Sequence, residues 1–192
     1  MAHSVPSSLL DNLHEQLGPA GFMTDPADIA PYLTDVRSLY AGSSPAVLRP
    51  SSTAEVSAIV TACHAAGVAV VPQGGNTGYM GGAVPGLNEP ALLMSMGRMK
   101  AVRHIDPVDY SMVAEAGCVL ADLQRTAADV DRLFPLSLAA QGTCTIGGNL
   151  STNAGGVQVL RFGNARDLVL GLEVVLPDGQ VWNGLRLLRK DN

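Results

Sequence analysis

Apolar residues recur at helical spacing from Leu9 to Leu17 and predict a first helix. Asp25-Pro26 offers a cap followed by a first-turn proline, which starts a second short helix running to about Leu33. Ala46-Val47-Leu48 then reads as a short strand. Ser52-Thr53-Ala54-Glu55 has capping-box spacing, and behind it Val56, Ile59, Val60 and Cys63 share one helical face until Gly67 ends the helix. There the period changes: Val68 to Val71 is a continuous apolar run, the pattern of a strand buried on both faces, and Ala91 to Met96 is a second such run. Further on, Ser111 to Ala116 predicts a strand and Leu120 to about Ala128 a helix. Leu168 to Leu176 with Gln180 to Trp182 predicts a hairpin around Pro177-Asp178-Gly179.

The order strand, helix, strand, loop, strand implies a small parallel βαβ unit whose loop leaves the carboxyl end of a strand, the usual place for a ligand in such sheets. The second half reads as mixed α+β. Residues 1–45 form an N-terminal helical arm and 46–192 the main domain, with Tyr40 to Pro45 the nearest thing to a linker.

Two glycine-dense segments interrupt this pattern, Pro72 to Gly86 and Gly142 to Gly163, and they hold twelve of the chain's 21 glycines. Glycine admits positive φ and close approach of the backbone, and successive exposed N–H groups form a nest for anions. Asn76, Thr77, Thr143, Thr145, Ser151, Thr152 and Asn153 add short polar side chains, so an oxygen-rich, phosphate-bearing ligand needs no lysine or arginine from these loops. Two common nucleotide motifs are absent. No lysine follows either glycine cluster as a P-loop requires, and Gly74-Gly75-Asn76-Thr77-Gly78 leads to another Gly-Gly pair and a proline instead of opening a Rossmann helix. The ligand is therefore expected to be held by two loops together.

Composition narrows the partners. The chain has 192 residues, 47% hydrophobic, enough for a real core. Its formal charge of −5 and the lack of any basic run longer than Arg189-Lys190 exclude a nucleic-acid footprint. No stretch of roughly 18 unbroken apolar residues suggests a membrane span, and the N-terminus lacks the charge and apolar core of a secretory signal. Cys63, Cys118 and Cys144 are an odd, scattered set without C-x-x-C, which suits a reducing compartment, and a cytoplasmic location is expected. Cys63 reads as helix core, while Cys144 is open to ligand contact or to packing. His3, His14, His64 and His104 show no metal-ligand spacing, and no G-x-S-x-G elbow is present.

The segments P-Q-G-G-N-T-G-Y-M-G-G-A-V-P, G-T-C-T-I-G-G-N-L-S-T-N-A-G-G, R-F-G-N, G-L-E-V-V-L-P-D-G and L-R-K-D-N resemble the FAD-binding domain of FAD-linked oxidases, the PCMH-type or vanillyl-alcohol oxidase group. Within that group the likeness is to the D-2-hydroxyglutarate and D-lactate dehydrogenase branch, over about Ala46 to Asn192. The resemblance implies a domain of two α+β subdomains, a small parallel βαβ unit plus a mixed or antiparallel sheet, C-terminally incomplete, with FAD between them. The first loop, Pro72, Gln73, Gly74, Gly75, Asn76, Thr77 and Gly78 with Gly81 and Gly82, would wrap the pyrophosphate. Gly142, Thr143, Gly147, Gly148, Asn149, Thr152, Asn153, Gly155 and Gly156 would line the ribityl chain and flavin. Pro135, Leu136 and Ser137 would approach the cofactor, and Val169 the adenine side.

Some members of the group attach flavin through a histidine in the first loop. Asn76 occupies that neighbourhood here, so noncovalent FAD is expected. Family members continue past L-R-K-D-N into a substrate domain with metal-binding histidines and a catalytic base, so no residue of this chain is assigned as catalytic or metal-binding. Thr143, Thr145 and Gln141 depart from the common pattern and touch only fine contacts.

Two readings follow. One is the FAD-binding portion of a dehydrogenase that moves a hydride from a D-2-hydroxy acid to FAD; the other is a truncated flavin-binding module without turnover. The electron acceptor and the oligomeric state are open, a homodimer among the options. Leu185, Leu187 and Leu188, each worth roughly 1.5–3 kcal/mol when buried, predict weak FAD affinity and aggregation for the isolated chain if a covering strand is missing.

Overall fold

The structure, a computed structural model, describes residues 4–87 and 90–185. Leu187, Leu188 and the L-R-K-D-N segment lie outside the described residues. The chain divides into two units, residues 1–98 with 175–182, and residues 99–174 with 183–192.

In the first unit, α1 (Ser7–Gly21) buries Leu9 and Leu13 and is broken at Gly18, where φ is 62°. β1 (Phe22–Met23) follows, then α2 (Pro26–Ile29), capped by the Asp25 carboxylate, which accepts from the Ala27 N–H. A 3₁₀ turn, Ala30–Tyr32, completes the second predicted helix. β2 (Val47–Leu48), α3 (Thr53–Ala66), β3 (Ala69–Gln73) and β4 (Ala91–Ser95) form the expected βαβ unit. α3 is delimited as its residues dictate. Ser52 Oγ accepts from the Glu55 N–H at 3.1 Å, the Glu55 carboxylate reaches back to the Ser51 N–H, and Gly67 closes the helix in the left-handed region.

The sheet order is β1-β2-β4-β3, parallel except for β1. β4 is therefore central, and all five of its residues are buried. Val47 and Leu93 are register partners and pack under Ile29, Met23, Tyr32 and Leu33; by the two-residue alternation Leu48, Leu92 and Met94 take the opposite face.

Two expectations change here. β3 is not buried on both faces: it is the edge strand, with Ala69 and Pro72 exposed and Val70 and Val71 only half-buried. An apolar run reports neighbours in composition, not position in the sheet. Nor is Tyr40 to Pro45 a linker. Ala41 bridges to Thr34, and buried Ser44 donates to the Ala46 carbonyl at 2.6 Å while accepting from the Leu93 N–H at 3.1 Å.

In the second unit, β5 (Val102–Asp106) and β6 (Ser111–Ala114) form an antiparallel pair. β5 was not legible, because it carries Arg103, His104 and Asp106 in five residues. Arg103 is ion-paired with Glu115 at 3.2 Å and with Glu173 at 2.9 Å, so its charge belongs to the fold. α4 (Leu120–Ala128) matches its predicted range and buries Leu120, Leu123 and Ala127. α5 (Ile146–Ser151) and α6 (Val159–Phe162) are short helices inside what reads in sequence as one glycine loop. Leu120, Leu136, Cys144 and Ala165 form one buried cluster, and Cys118, Leu123 and Ile146 a second.

β7 (Leu172–Val175) and β8 (Val181–Gly184) make the expected hairpin, closed by the Gly179 N–H on the Leu176 carbonyl at 2.8 Å. Its first strand starts at Leu172, not Leu168, because Ala165–Leu168 is a 3₁₀ turn held by an Asn164–Asp167 capping box. Among the described residues no helix is long and apolar enough to cross a membrane, and no cluster of His, Cys, Asp or Glu is placed to hold a metal.

Candidate functional site

The first glycine loop leaves β3 at its carboxyl end. Gln73 is buried, and its Nε2 donates to the Tyr32 carbonyl at 2.9 Å and the Ala83 carbonyl at 2.8 Å, so its side chain braces the loop. Asn76 adopts φ 49°, and its Nδ2 donates to the Thr34 carbonyl at 2.8 Å. Among the described residues, no acceptor meets the main-chain N–H groups of Gly74, Gly75, Asn76, Thr77 and Gly78. Backbone donors left this way in a half-exposed loop are strong hydrogen-bonding groups awaiting a partner. Nothing lies within 4 Å of where a Cβ would sit on Gly78 or Gly82, whereas on Gly81, at φ 70°, it would strike the Tyr40 ring at 2.6 Å. Pro72, the last exposed strand residue before Gln73, leads into this run.

In the second unit, the expected residues gather around α5 and the segment before it. Gly147 is pressed on Ala116, its N–H donating to the Ala116 carbonyl at 2.9 Å, and the Ile146 N–H donates to the Cys118 carbonyl at 2.9 Å. The first two amides of α5 are thus consumed inside the protein, and Gly148 alone of the first turn keeps an unpaired N–H among the described residues. Two buried oxygens one helical turn apart, Thr145 Oγ1 and Asn149 Oδ1, have no hydrogen-bond partner. Such orphans are costly unless a ligand or water meets them. Thr152 Oγ1 donates back to the Gly148 carbonyl, Thr143 Oγ1 lies 3.3 Å from the Ala140 carbonyl, and Asn153 Oδ1 accepts from the Arg166 N–H.

Gly156, at φ 137°, runs so close to Ser137 that an added Cβ would overlap the Ser137 carbonyl, and the neighbouring Val157 N–H donates to that same oxygen at 3.3 Å. Ser137 is in this way brought beside Gly156, while Leu136 is buried and Pro135 half-buried. Gly155 faces Asn164, Gly142 is open, and Val169 is half-buried at the end of the 3₁₀ turn. Cys144 is buried with Leu120, Leu136 and Ala165, which settles it as a packing residue. Cys63 is buried too, and burial pushes its thiol up to about 11.

Sequence reasoning missed two residues at the first loop. Arg37 stacks over Tyr79, 5.4 Å from the ring centroid, and brings a cation to a loop that has none of its own. Asp35 is buried nearby. The Tyr40 N–H bonded to its carboxylate is the main cause holding it below the usual aspartate range; the Arg37 and Leu39 amides and the Arg37 charge act the same way, and burial opposes them. The D-V-R-S-L-Y stretch that carries both has no glycine or cap signature to attract notice.

Taken by itself, the run of five consecutive unpaired amides in the first loop suits an anionic, phosphate-bearing group, and the orphan oxygens of Thr145 and Asn149, in the second unit, suit a polar ligand edge. Residues 44–184 match the model of a family described as an FAD binding domain. The chain is 46% identical over 178 residues to the mitochondrial D-2-hydroxyglutarate dehydrogenase of Bos taurus, covering 93% of this chain and 32% of that protein. It is 38% identical over 185 residues to a putative mitochondrial D-lactate dehydrogenase of Schizosaccharomyces pombe, covering 96% and 34%. An alkyldihydroxyacetonephosphate synthase structure superposes with a TM-score of 0.86 over 96% of this chain and 36% of its own, at 20% identity, a likeness of fold. The chain spans about a third of the length of the curated relatives it matches. These relatives correct the expected cytoplasmic location, since both are mitochondrial. Unpaired cysteines report a reducing medium and not an address.

Proposed function

This chain belongs to the FAD-binding domain family, and from that premise we propose that it is the FAD-binding portion of a flavin-dependent oxidoreductase acting on a D-2-hydroxy acid of the D-2-hydroxyglutarate or D-lactate type. The observation that carries the substrate class is the 46% identity to a D-2-hydroxyglutarate dehydrogenase along nearly the whole chain. Bound FAD would supply the two-electron acceptor for the hydroxy acid.

The chain's own residues bind and orient. The unpaired amides of Gly74 to Gly78 supply hydrogen bonds to diphosphate oxygens, and Gly81 and Gly82 let the loop close on them. Thr145 and Asn149 meet polar edges of the flavin or ribityl chain with their orphan oxygens, and Gly147, Gly148, Gly155 and Gly156 keep that surface free of side chains. Residues 46–192 act as the cofactor domain, with residues 1–45 as the helical arm that backs its first loop. The cofactor is noncovalent, since Asn76 offers no nucleophile. No residue here is assigned as acid or base, and none is assigned to reoxidise the flavin.

Flavin fluorescence titration tests the reading: saturable, stoichiometric quenching supports it, and its absence sinks it. Acid precipitation should leave the yellow colour in the supernatant, whereas a yellow pellet would mean a covalent link. In the protein that joins this domain to a substrate domain, anaerobic bleaching by D-2-hydroxyglutarate or D-lactate assigns the substrate. FAD binding without bleaching by either would favour a binding module with no turnover.

A further inference from the structure

The segment from Tyr32 to Gly42 precedes the stretch matched by the family model, and the sequence marks it only as the end of an arm. In the fold it is a closed turn built around one carboxylate. Asp35, 4% exposed, accepts from the Tyr40 N–H at 2.6 Å and the Leu39 N–H at 2.7 Å through Oδ1, and from the Arg37 N–H at 3.1 Å through Oδ2. Ser38 turns the chain at φ 55°, and the Asp35 N–H closes the ring on the Tyr40 carbonyl at 3.0 Å. Charge-assisted bonds of this number hold one backbone shape against many.

That shape is presented to the first glycine loop at successive points. The Tyr32 carbonyl accepts from Gln73, just before the unpaired amides, and the Thr34 carbonyl from the Asn76 side chain, in their midst. Arg37 covers Tyr79, the Tyr40 ring fills the space at Gly81, and Gly42 lies against the Pro85 carbonyl, on the far side. The loop itself has little internal support: among the described residues, its main-chain bonding between Gly74 and Gly86 is the Val84 N–H on the Gly81 carbonyl. A glycine-rich segment held from outside on both flanks owes its binding-ready form to what holds it.

We propose that Asp35 is a positioning residue for the cofactor diphosphate: by organising the turn from Tyr32 to Gly42, it keeps the amides of Gly74 to Gly78 aimed in common. The inference rests on the FAD reading above and extends it to residues outside the matched domain. It needs no contact between Asp35 and the cofactor.

The test uses the protein with Asp35→Ala and Asp35→Asn, and Asp122→Ala as a surface-carboxylate control. Asp35→Ala should raise the FAD Kd about tenfold or more, displace the phosphorus NMR resonances of bound FAD, and speed amide exchange across residues 74–83. Asp35→Asn retains one acceptor for Leu39 and Tyr40 and should recover part of both the affinity and the phosphorus shift. Should Asp35→Ala not fold, Asp35→Asn decides, since wild-type Kd, resonances and exchange in that variant would overturn the inference. Wild-type protein that ignores FAD overturns the preceding reading and this one with it, whereas wild type that binds while both variants match it overturns this one alone.

Discussion

Gly147 and Ala116 touch backbone to backbone: a Cβ added to Gly147 would lie 2.8 Å from the Ala116 Cβ and 2.9 Å from its carbonyl oxygen, while the Gly147 N–H donates to that oxygen. This contact seats α5 against the turn that follows β6. Gly147→Ala should therefore destabilise the chain by about 1–3 kcal/mol, the range for overpacking, measured by denaturant titration. Adding Ala116→Gly should restore only part, because the carbonyl contact persists.

The two kinds of glycine in the first loop should separate. Gly81 has positive φ and the Tyr40 ring against it, so Gly81→Ala should cost roughly 1–2 kcal/mol for the left-handed backbone alone. Gly78 has open space above it. Gly78→Ala should melt as wild type does and yet weaken FAD binding, because the methyl stands where the ligand approaches. Paired melts and fluorescence titrations check both, and equal affinity in Gly78→Ala would remove that glycine from the site.

Thr145→Val removes a buried hydroxyl that has no partner while keeping side-chain shape. Replacing an unsatisfied polar group by an apolar one is neutral to stabilising, by about 1 kcal/mol. The variant should hold or raise the midpoint without FAD and lose the extra stability that FAD confers on wild type. Melts with and without ligand read both.

Two groups set opposite pH limits. The Cys63 thiol is raised by burial to about 11, so the folded chain keeps a proton that the unfolded chain releases from about pH 8.5, and stability should fall as pH rises through that window. Asp35 is lowered, chiefly by the Tyr40 N–H, so its contribution is present above about pH 3.9 and lost as pH falls through the lower folded value. Denaturant midpoints against pH should decline at both ends. Cys63→Ala, judged against its own plateau, should flatten part of the alkaline limb, since burial raises the Cys118 thiol as well.

Local chemistry made much of this fold readable. Ser52, Glu55 and Gly67 delimit α3 because caps and left-handed ends are decided within four residues, and Asp178-Gly179 turns its hairpin for the same reason. The glycine loops were visible as candidates because glycine clustering is itself a statement about backbone freedom. α5 was hidden by the same signal. Gly147 and Gly148 argue against a helix on propensity, and only the close seat on Ala116 explains why a helix carries them.

What the residues settled unaided was most of the first unit's elements with α4 and the hairpin turn, the two loops and the family resemblance, since these depend on neighbours along the chain. Tertiary structure alone decided that β3 is an edge strand, that Tyr40 to Pro45 is packed, and that Tyr32, Thr34 and Arg37 meet a loop some forty residues away. Sheet order and loop backing come from contacts between distant segments, and no periodicity records which carbonyl a side-chain amide will find once the chain has closed on itself.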